Sequence, residues 1–242
     1  MIEQITALYD KNLSCPHCQA AFSSKRVRSG SLSMLKRDSD FCTYFKEQAL
    51  NPILYTVNVC PSCGFAFTDL FDERLAPGQK KLVSELISAK WTPKELGGIR
   101  SLPAAVAAYK LAIYAAELTD QVHSVKAGLY LRLAWLYRFT ANAAEERRFL
   151  QIAVHEYEQS YIHSDYTRGE KEMSEVRILY LIGDLMRRIE QYDKAIQYFS
   201  HALEFRNRTI ETGILQMAQD QWAQAREEYK EKKKQPQVAM IS

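Results

Sequence analysis

Two hydrophobic rhythms divide this chain. From residue 77 onward apolar side chains recur every three or four positions, as in residues 176–186, VRILYLIGDLM, and in the stripe Ile210, Ile214, Ala218, Trp222, Ala225 and Tyr229. Residues at that spacing share one face of an α-helix, so the pattern predicts a series of amphipathic helices. Before residue 77 no helical period is sustained. Short β-prone runs, such as residues 53–59, ILYTVNV, stand among serines, threonines and all five cysteines. Pro77-Gly78 is the seam. The pattern therefore predicts an α+β, mostly α protein: a small β domain over residues 1–76, a helical domain over 77–233 and a flexible basic and polar tail over 234–242.

The helical half repeats itself. Residues 176–207, VRILYLIGDLMRRIEQYDKAIQYFSHALEFRN, resemble a tetratricopeptide repeat, with Ile182-Gly183 in its first helix and Tyr192, Ala195, Phe199 and Ala202 around the turn and in its second. Gly183 is expected where a neighbouring helix comes close, and Ala195 where the two helices cross. Leu179, Met186 and Asn207 depart from the repeat's usual Trp, Tyr and Pro, but the first two remain apolar and are expected to pack. Leu133 to Tyr137 match the first helix of an earlier copy, and Leu150 and Ala153 its second. Tyr109 and Ala112 fit a second helix over 103–119, with 79–90 as its weak first helix. The equivalent alanines at 112, 153 and 202 are unevenly spaced, so insertions are expected at 164–171 and near 140–144. A final helix over 209–232 is expected to cap the stack.

Composition narrows the class without naming a function. The 242 residues are 47% hydrophobic and 25% charged, as in a folded globular protein. The N-terminus has acids before its first lysine and no apolar run, unlike a secretory signal. The most apolar stretch, 104–118, is broken by Lys110 and is too short to span a bilayer. A cytoplasmic protein with no membrane association is the expectation. The net charge of +3 is concentrated in KEKKK at 230–234, while residues 1–75 hold eight basic and eight acidic side chains.

The cysteines supply the candidate chemistry. Cys15-Pro16-His17-Cys18 taken alone resembles the dithiol of a disulfide oxidant. Cys60-Pro61-Ser62-Cys63-Gly64 repeats its spacing, and the glycine suits a knuckle whose amides turn toward thiolates. Two such pairs provide four soft ligands, Cys15, Cys18, Cys60 and Cys63, the set for a closed tetrahedral structural Zn²⁺ in a ribbon-like fold. The 41 residues between the pairs exceed the usual ribbon spacing, but loop closure grows costly only slowly with length. A redox site would call for a helix after Cys15 within a parallel α/β sheet. The surrounding sequence is polar and strand-like instead. His17 is expected to be exposed and Cys42 to belong to the core.

Six basic residues and no acid lie between Lys11 and Arg37. Lys25, Arg26, Arg28 and Arg37 are therefore candidate contacts for an anion or nucleic acid, although the neutral charge of the domain argues for a solvated face. The inner face of the repeats offers a second candidate surface. Trp135, Arg138, Arg177, Tyr180, Asp184 and Arg187 there suit a protein or peptide with acidic and apolar groups.

The block CPHCQAAF, RDSDFC, NPILYTVNVCPSCGFAF followed by helical repeats resembles the bacterial family known as domain of unknown function 2225. The resemblance implies a bacterial cytoplasmic protein with a cysteine-rich front end and assigns no activity. Arg37, Asp38 and Asp40 belong to that block, so a specific role is expected of them, either structural or ligand-binding. Neither a phosphate loop nor a zinc-protease signature occurs. Cys42, the Asp38/Asp40 pair and the histidines at 123, 155, 163 and 201 lack a nucleophile–base spacing. The expected function is non-enzymatic: a zinc-binding interaction protein that holds a protein or peptide on its helices, or alternatively a nucleic-acid-binding regulator using the ribbon's basic strand.

Overall fold

A computed structural model of the chain describes residues 6–167 and 172–238. The front end is three antiparallel hairpins in series: β1 (Leu8–Ser14) with β2 (Ala21–Val27), β3 (Met34–Arg37) with β4 (Thr43–Phe45), and β5 (Asn58–Val59) with β6 (Ala66–Phe67). Each carries one motif at its tip: Cys15–Cys18 on the first, Asp38–Cys42 on the second and Cys60–Gly64 on the third. The first is the longest, registering Leu8 with Val27 and Ser14 with Ala21.

The run 53–59 does not become one strand. Pro52 opens a 3-10 turn over Pro52–Tyr55, and the Asn51 side chain accepts from the Ile53 amide (3.2 Å), a local bond that diverts the backbone from extended pairing. Two guanidiniums, Arg100 buried and Arg26 partly so, then hold the carbonyl end of the turn. Arg100 donates to Leu54 O (3.0 Å) and Val57 O (2.6 Å), and Arg26 donates to Tyr55 O and Asn58 Oδ1. Only Asn58–Val59 remains as strand.

The remainder is helical: α1 (Pro77–Leu86), α2 (Leu102–Leu118), α3 (His123–Phe139), α4 (Ala143–His163), α5 (Glu175–Arg188), α6 (Tyr192–Leu203) and α7 (Thr212–Val238). Starts follow from local chemistry. The side chains of Ser101, Asn142 and Ser174 accept from the amides of Ala104, Glu145 and Arg177, satisfying donors that the first helical turn leaves unpaired. Three junctions close alike. Asp120, Ala141 and Glu190 take left-handed φ values of 49°, 53° and 65°, and the next amide reaches back five residues, to Ala116 O, Tyr137 O and Met186 O. The expected weak helix over 79–90 divides into α1 and a 3-10 turn over Ser88–Lys90. The last helix extends through Val238, into the segment expected to be a tail, and residues 239–242 lie outside the described residues. Of the insertion at 164–171, Asp165–Thr167 form a 3-10 turn and 168–171 lie outside the described residues.

Small residues set the helix spacing. Ala112, Ala153, Ala195 and Ala202 are fully buried, as are Leu179 and Met186 to within 1%. A Cβ on Gly183 would stand 2.8 Å from the Phe199 ring, so α5 and α6 meet only because that side chain is missing. Alanines 105, 108, 112, 115 and 116 make α2 a smooth platform for β5 and β6 on one side and α3 on another. Tyr109, at its centre, donates to Ile53 O (3.2 Å). A single apolar cluster runs from Cys15 to Ala225, so hairpins and helices share a core. Among the described residues no helix is long and apolar enough to cross a membrane.

Candidate metal centre and the inner helical face

The first and third hairpins turn in the same way. The Cys15 amide donates to Ala20 O (3.0 Å) and the Gln19 amide to Cys15 O (2.9 Å); the Cys60 amide donates to Phe65 O (3.0 Å) and the Gly64 amide to Cys60 O (2.9 Å). Gln19 and Gly64 take the equivalent left-handed position, with φ of 61° and 75°. Gly64 has a second reason to be glycine: the Trp91 ring lies 2.5 Å from where a Cβ would stand. Trp91 also donates from Nε1 to Pro61 O (2.8 Å), covering this knuckle in a way that its lone position in the sequence did not signal.

The two turns bring four sulfurs together. Cys15 Sγ is 3.6 Å from Cys63 Sγ, Cys18 Sγ is 3.6 Å from Cys60 Sγ, and all four lie within 4.8 Å of one another. Tetrahedral Zn–S bonds of about 2.3 Å require sulfurs about 3.8 Å apart, so the set fits Zn²⁺. Disulfides would require about 2 Å. Cys18 is exposed and the other three are buried. A hydrogen bond from Cys63 draws the Cys15 thiol down to about 5, and the same bond pushes Cys63 upward. Burial raises Cys60. Four convergent thiols cannot all ionise unaided, which is the condition that a bound divalent cation relieves.

His17 lies beside this cluster, half-buried rather than exposed. Its Nε2 is 3.4 Å from Ser84 Oγ on α1, and its ring centroid is 6.2 Å from that of Phe65. Burial lowers its pKa, and Nδ1 is buried with no hydrogen-bond partner among the described residues.

The basic residues of the front end are largely engaged by their own chain. Lys25 pairs with its cross-strand neighbour Asp10 at 2.8 Å. Arg26, with a side chain 14% exposed, faces inward, toward the 52–58 turn and Asp69 at 3.8 Å. Arg28 donates to Thr6 O (3.2 Å) and lies over the Tyr9 ring. Arg37 donates to Thr43 Oγ1 (3.2 Å) on a fully exposed strand.

The second hairpin carries the least expected contact. Its tip, Asp38-Ser39-Asp40-Phe41, enters the inner face of the helices. The fully buried Asp40 carboxylate accepts from Arg138 Nη2 (2.6 Å) and Nη1 (3.1 Å) and from Trp135 Nε1 (3.0 Å), with Arg188 at 3.5 Å. Asp38 accepts from Arg138 Nη1 (3.1 Å) and Tyr44 Oη (3.0 Å). Ser39 donates to Asp184 Oδ2 (2.9 Å), while its carbonyl accepts from Tyr180 Oη (2.7 Å) and its hydroxyl from Arg188 Nη2 (2.9 Å). Phe41, at φ 69°, turns its ring edge-on to Tyr180. Burial raises the Asp40 pKa, but the Arg138 hydrogen bond and the charges of Arg188 and Arg138 outweigh it, and the net shift is downward.

Four of the six inner-face candidates, Trp135, Arg138, Tyr180 and Asp184, thus surround a segment of their own chain. The remaining two form their ion pairs elsewhere, Arg177 with Glu211 (2.8 Å) and Arg187 with Asp184 (3.1 Å) and Glu228 (2.9 Å), although the Arg177 guanidinium also lies over the Phe41 ring at 5.7 Å. Cys42 is fully buried behind the turn, and burial pushes its thiol up to about 12.

A family model described as "Uncharacterized protein conserved in bacteria (DUF2225)" matches residues 8–225. No curated protein and no solved structure matches the chain.

Proposed function

The chain belongs to the DUF2225 family of proteins conserved in bacteria, and from that premise we propose that it is a non-enzymatic, zinc-stabilised binding protein. In this reading a zinc-ribbon-like front end is locked onto a tetratricopeptide-like stack, and the inner face of the stack recognises a protein or peptide bearing two closely spaced carboxylates. The observation that carries it is the seating of Asp38-Ser39-Asp40: Trp135, Arg138, Tyr180, Asp184 and Arg188 already hold a peptide-like segment through charge-assisted bonds. Cys15, Cys18, Cys60 and Cys63 would hold the zinc in a closed set of four with no position left for substrate, which makes its role structural. The side chains best suited to catalysis are spent elsewhere. The Cys42 thiol is protonated at neutral pH and Asp40 is consumed by guanidiniums.

A tethered segment competes at an effective concentration of roughly millimolar, so a partner gains access only as the hairpin leaves. The test follows from that competition. A fluorescent peptide of residues 34–45 carrying Cys42→Ser is expected to bind the full-length Asp38→Asn/Asp40→Asn protein, to lose binding on further Arg138→Gln, and to bind wild type at least tenfold more weakly. Equal binding to all three proteins would refute the inner face as the site. For the metal, one equivalent of zinc in untagged protein, lost in Cys60→Ser/Cys63→Ser, is expected; a wild-type protein free of zinc after purification from zinc-supplemented medium would refute that half.

A further inference from the structure

Two cavities adjoin in the seam between the hairpins and α3, sharing Pro52, Thr56 and Arg132 as their common wall. One, about 210 Å³, is lined by the aromatic rings of Phe41, Phe45, Trp135 and Phe139. The other, about 220 Å³, is mixed, with Arg26, Thr68, Asp69 and Arg132 set among Val27, Leu70, Val125 and Leu129. Together they fall within the range of about 300–1,000 Å³ typical of small-molecule sites, and they combine an apolar body with few polar groups, as such sites do.

Arg132 gives the seam its chemistry. Its Nη1 donates to Gly128 O one turn back (2.8 Å), and among the described residues its guanidinium makes no ion pair. A guanidinium has five N–H donors, so most of its capacity is unspent. The other guanidinium, that of Arg26, is already directed to Tyr55 O and Asn58 Oδ1. Thr68, 6% exposed, accepts from the Leu70 amide at 3.2 Å, and among the described residues its hydroxyl donates to no partner, which leaves its proton for an acceptor in this second chamber. Two guanidiniums against the one carboxylate of Asp69 leave the lining positive, and Asp69 disfavours a ligand of high negative charge.

We propose that this seam binds a small organic monoanion with a flat aromatic body, such as an aryl carboxylate or sulfonate. Its ring lies in the chamber of Trp135 and Phe139, and its anionic group pairs with Arg132 and accepts from Thr68. The chamber shares Trp135 and Phe41 with the inner-face reading, but the anionic group meets Arg132 rather than Arg138 and Arg188, so different substitutions test the two.

The test is a fluorescence titration of the zinc-loaded full chain with anilinonaphthalene sulfonate and its uncharged counterpart, phenylnaphthylamine. Wild type is expected to bind the sulfonate saturably at one site, at least tenfold more tightly than the uncharged probe. Arg132→Gln is expected to weaken the sulfonate roughly tenfold or more and to leave the uncharged probe unaffected, while Arg132→Lys, which keeps the charge, retains most of the binding. The wild-type preference is read without any substitution, so the proposal is tested even if Arg132→Gln fails to fold. Non-saturable binding, equal affinity for the two probes, or an Arg132→Gln protein that binds the sulfonate as wild type does would each overturn it. None of those results would alter the zinc stoichiometry or the peptide competition, so failure of this site is distinguishable from failure of the binding-protein reading.

Discussion

Asp40 is the residue on which the most interactions converge. A buried carboxylate survives only where its charge is matched, and here Arg138, Arg188, the Trp135 N–H and the Cys42 amide all point at it. Replacing one partner leaves the others uncompensated, so Asp40→Asn is expected to cost about 3–5 kcal/mol, read from urea unfolding midpoints. The pH dependence has a definite sign. The folded-state pKa lies below the ordinary 3.8, so Asp40 contributes its full stability above about 3.8 and loses it as pH falls through the folded value. The stability gap between wild type and Asp40→Asn should therefore narrow in acid below that point; a gap that widened would contradict the ion-pair account. Cys42, at about 12, should resist iodoacetamide at pH 8 in native zinc-loaded protein and react on unfolding, as mass spectrometry of the alkylated chain would record.

At the scale of elements, turns decide more than strands or helices do. Ala141 holds a left-handed position at the end of α3 without being glycine. A Cβ is tolerated there and a β-branched side chain is not, so Ala141→Gly should raise stability by up to about 1 kcal/mol while Ala141→Val lowers it, both measured by thermal unfolding. Gly64 is under a harder constraint, since positive φ and the Trp91 ring both exclude a side chain. Gly64→Ala should displace Trp91 and loosen the second knuckle, visible as a red-shifted tryptophan emission and weaker zinc retention against a chelator. Gln19 occupies the matching place in the first knuckle at a φ of 61°, so the turn itself admits a side chain and the Trp91 ring is what restricts the second knuckle further.

At the scale of the whole molecule, one apolar cluster joins the hairpins to the stack, and the Asp38–Phe41 tip crosses between them. Removing zinc with a chelator should for that reason lower the unfolding temperature of the helices as well as of the hairpins, in one transition by circular dichroism; a helical transition unmoved by chelation would mean that the halves fold independently. The helical half was legible in the sequence because burial of one helix face imposes a period of 3.6 on the chain itself, and the junctions at 120, 141 and 190 fell where that period broke. The cysteine quartet was legible because a metal knuckle is a local turn, and C-P-x-C encodes its ligands a fixed distance apart. The start of β5 was less so, since Asn51 and Pro52 turned the first part of a β-prone run before it could pair, leaving Asn58–Val59. What sequence could not supply is pairing across long separations. Asp40 and Arg138 are 98 residues apart, and nothing in RDSDF alone says that it fills the face formed by Trp135, Tyr180 and Asp184. Local periodicity and knuckle chemistry thus determined the elements and the candidate metal ligands, while only tertiary packing decided which charges are buried together, because that depends on how distant segments meet and exclude water.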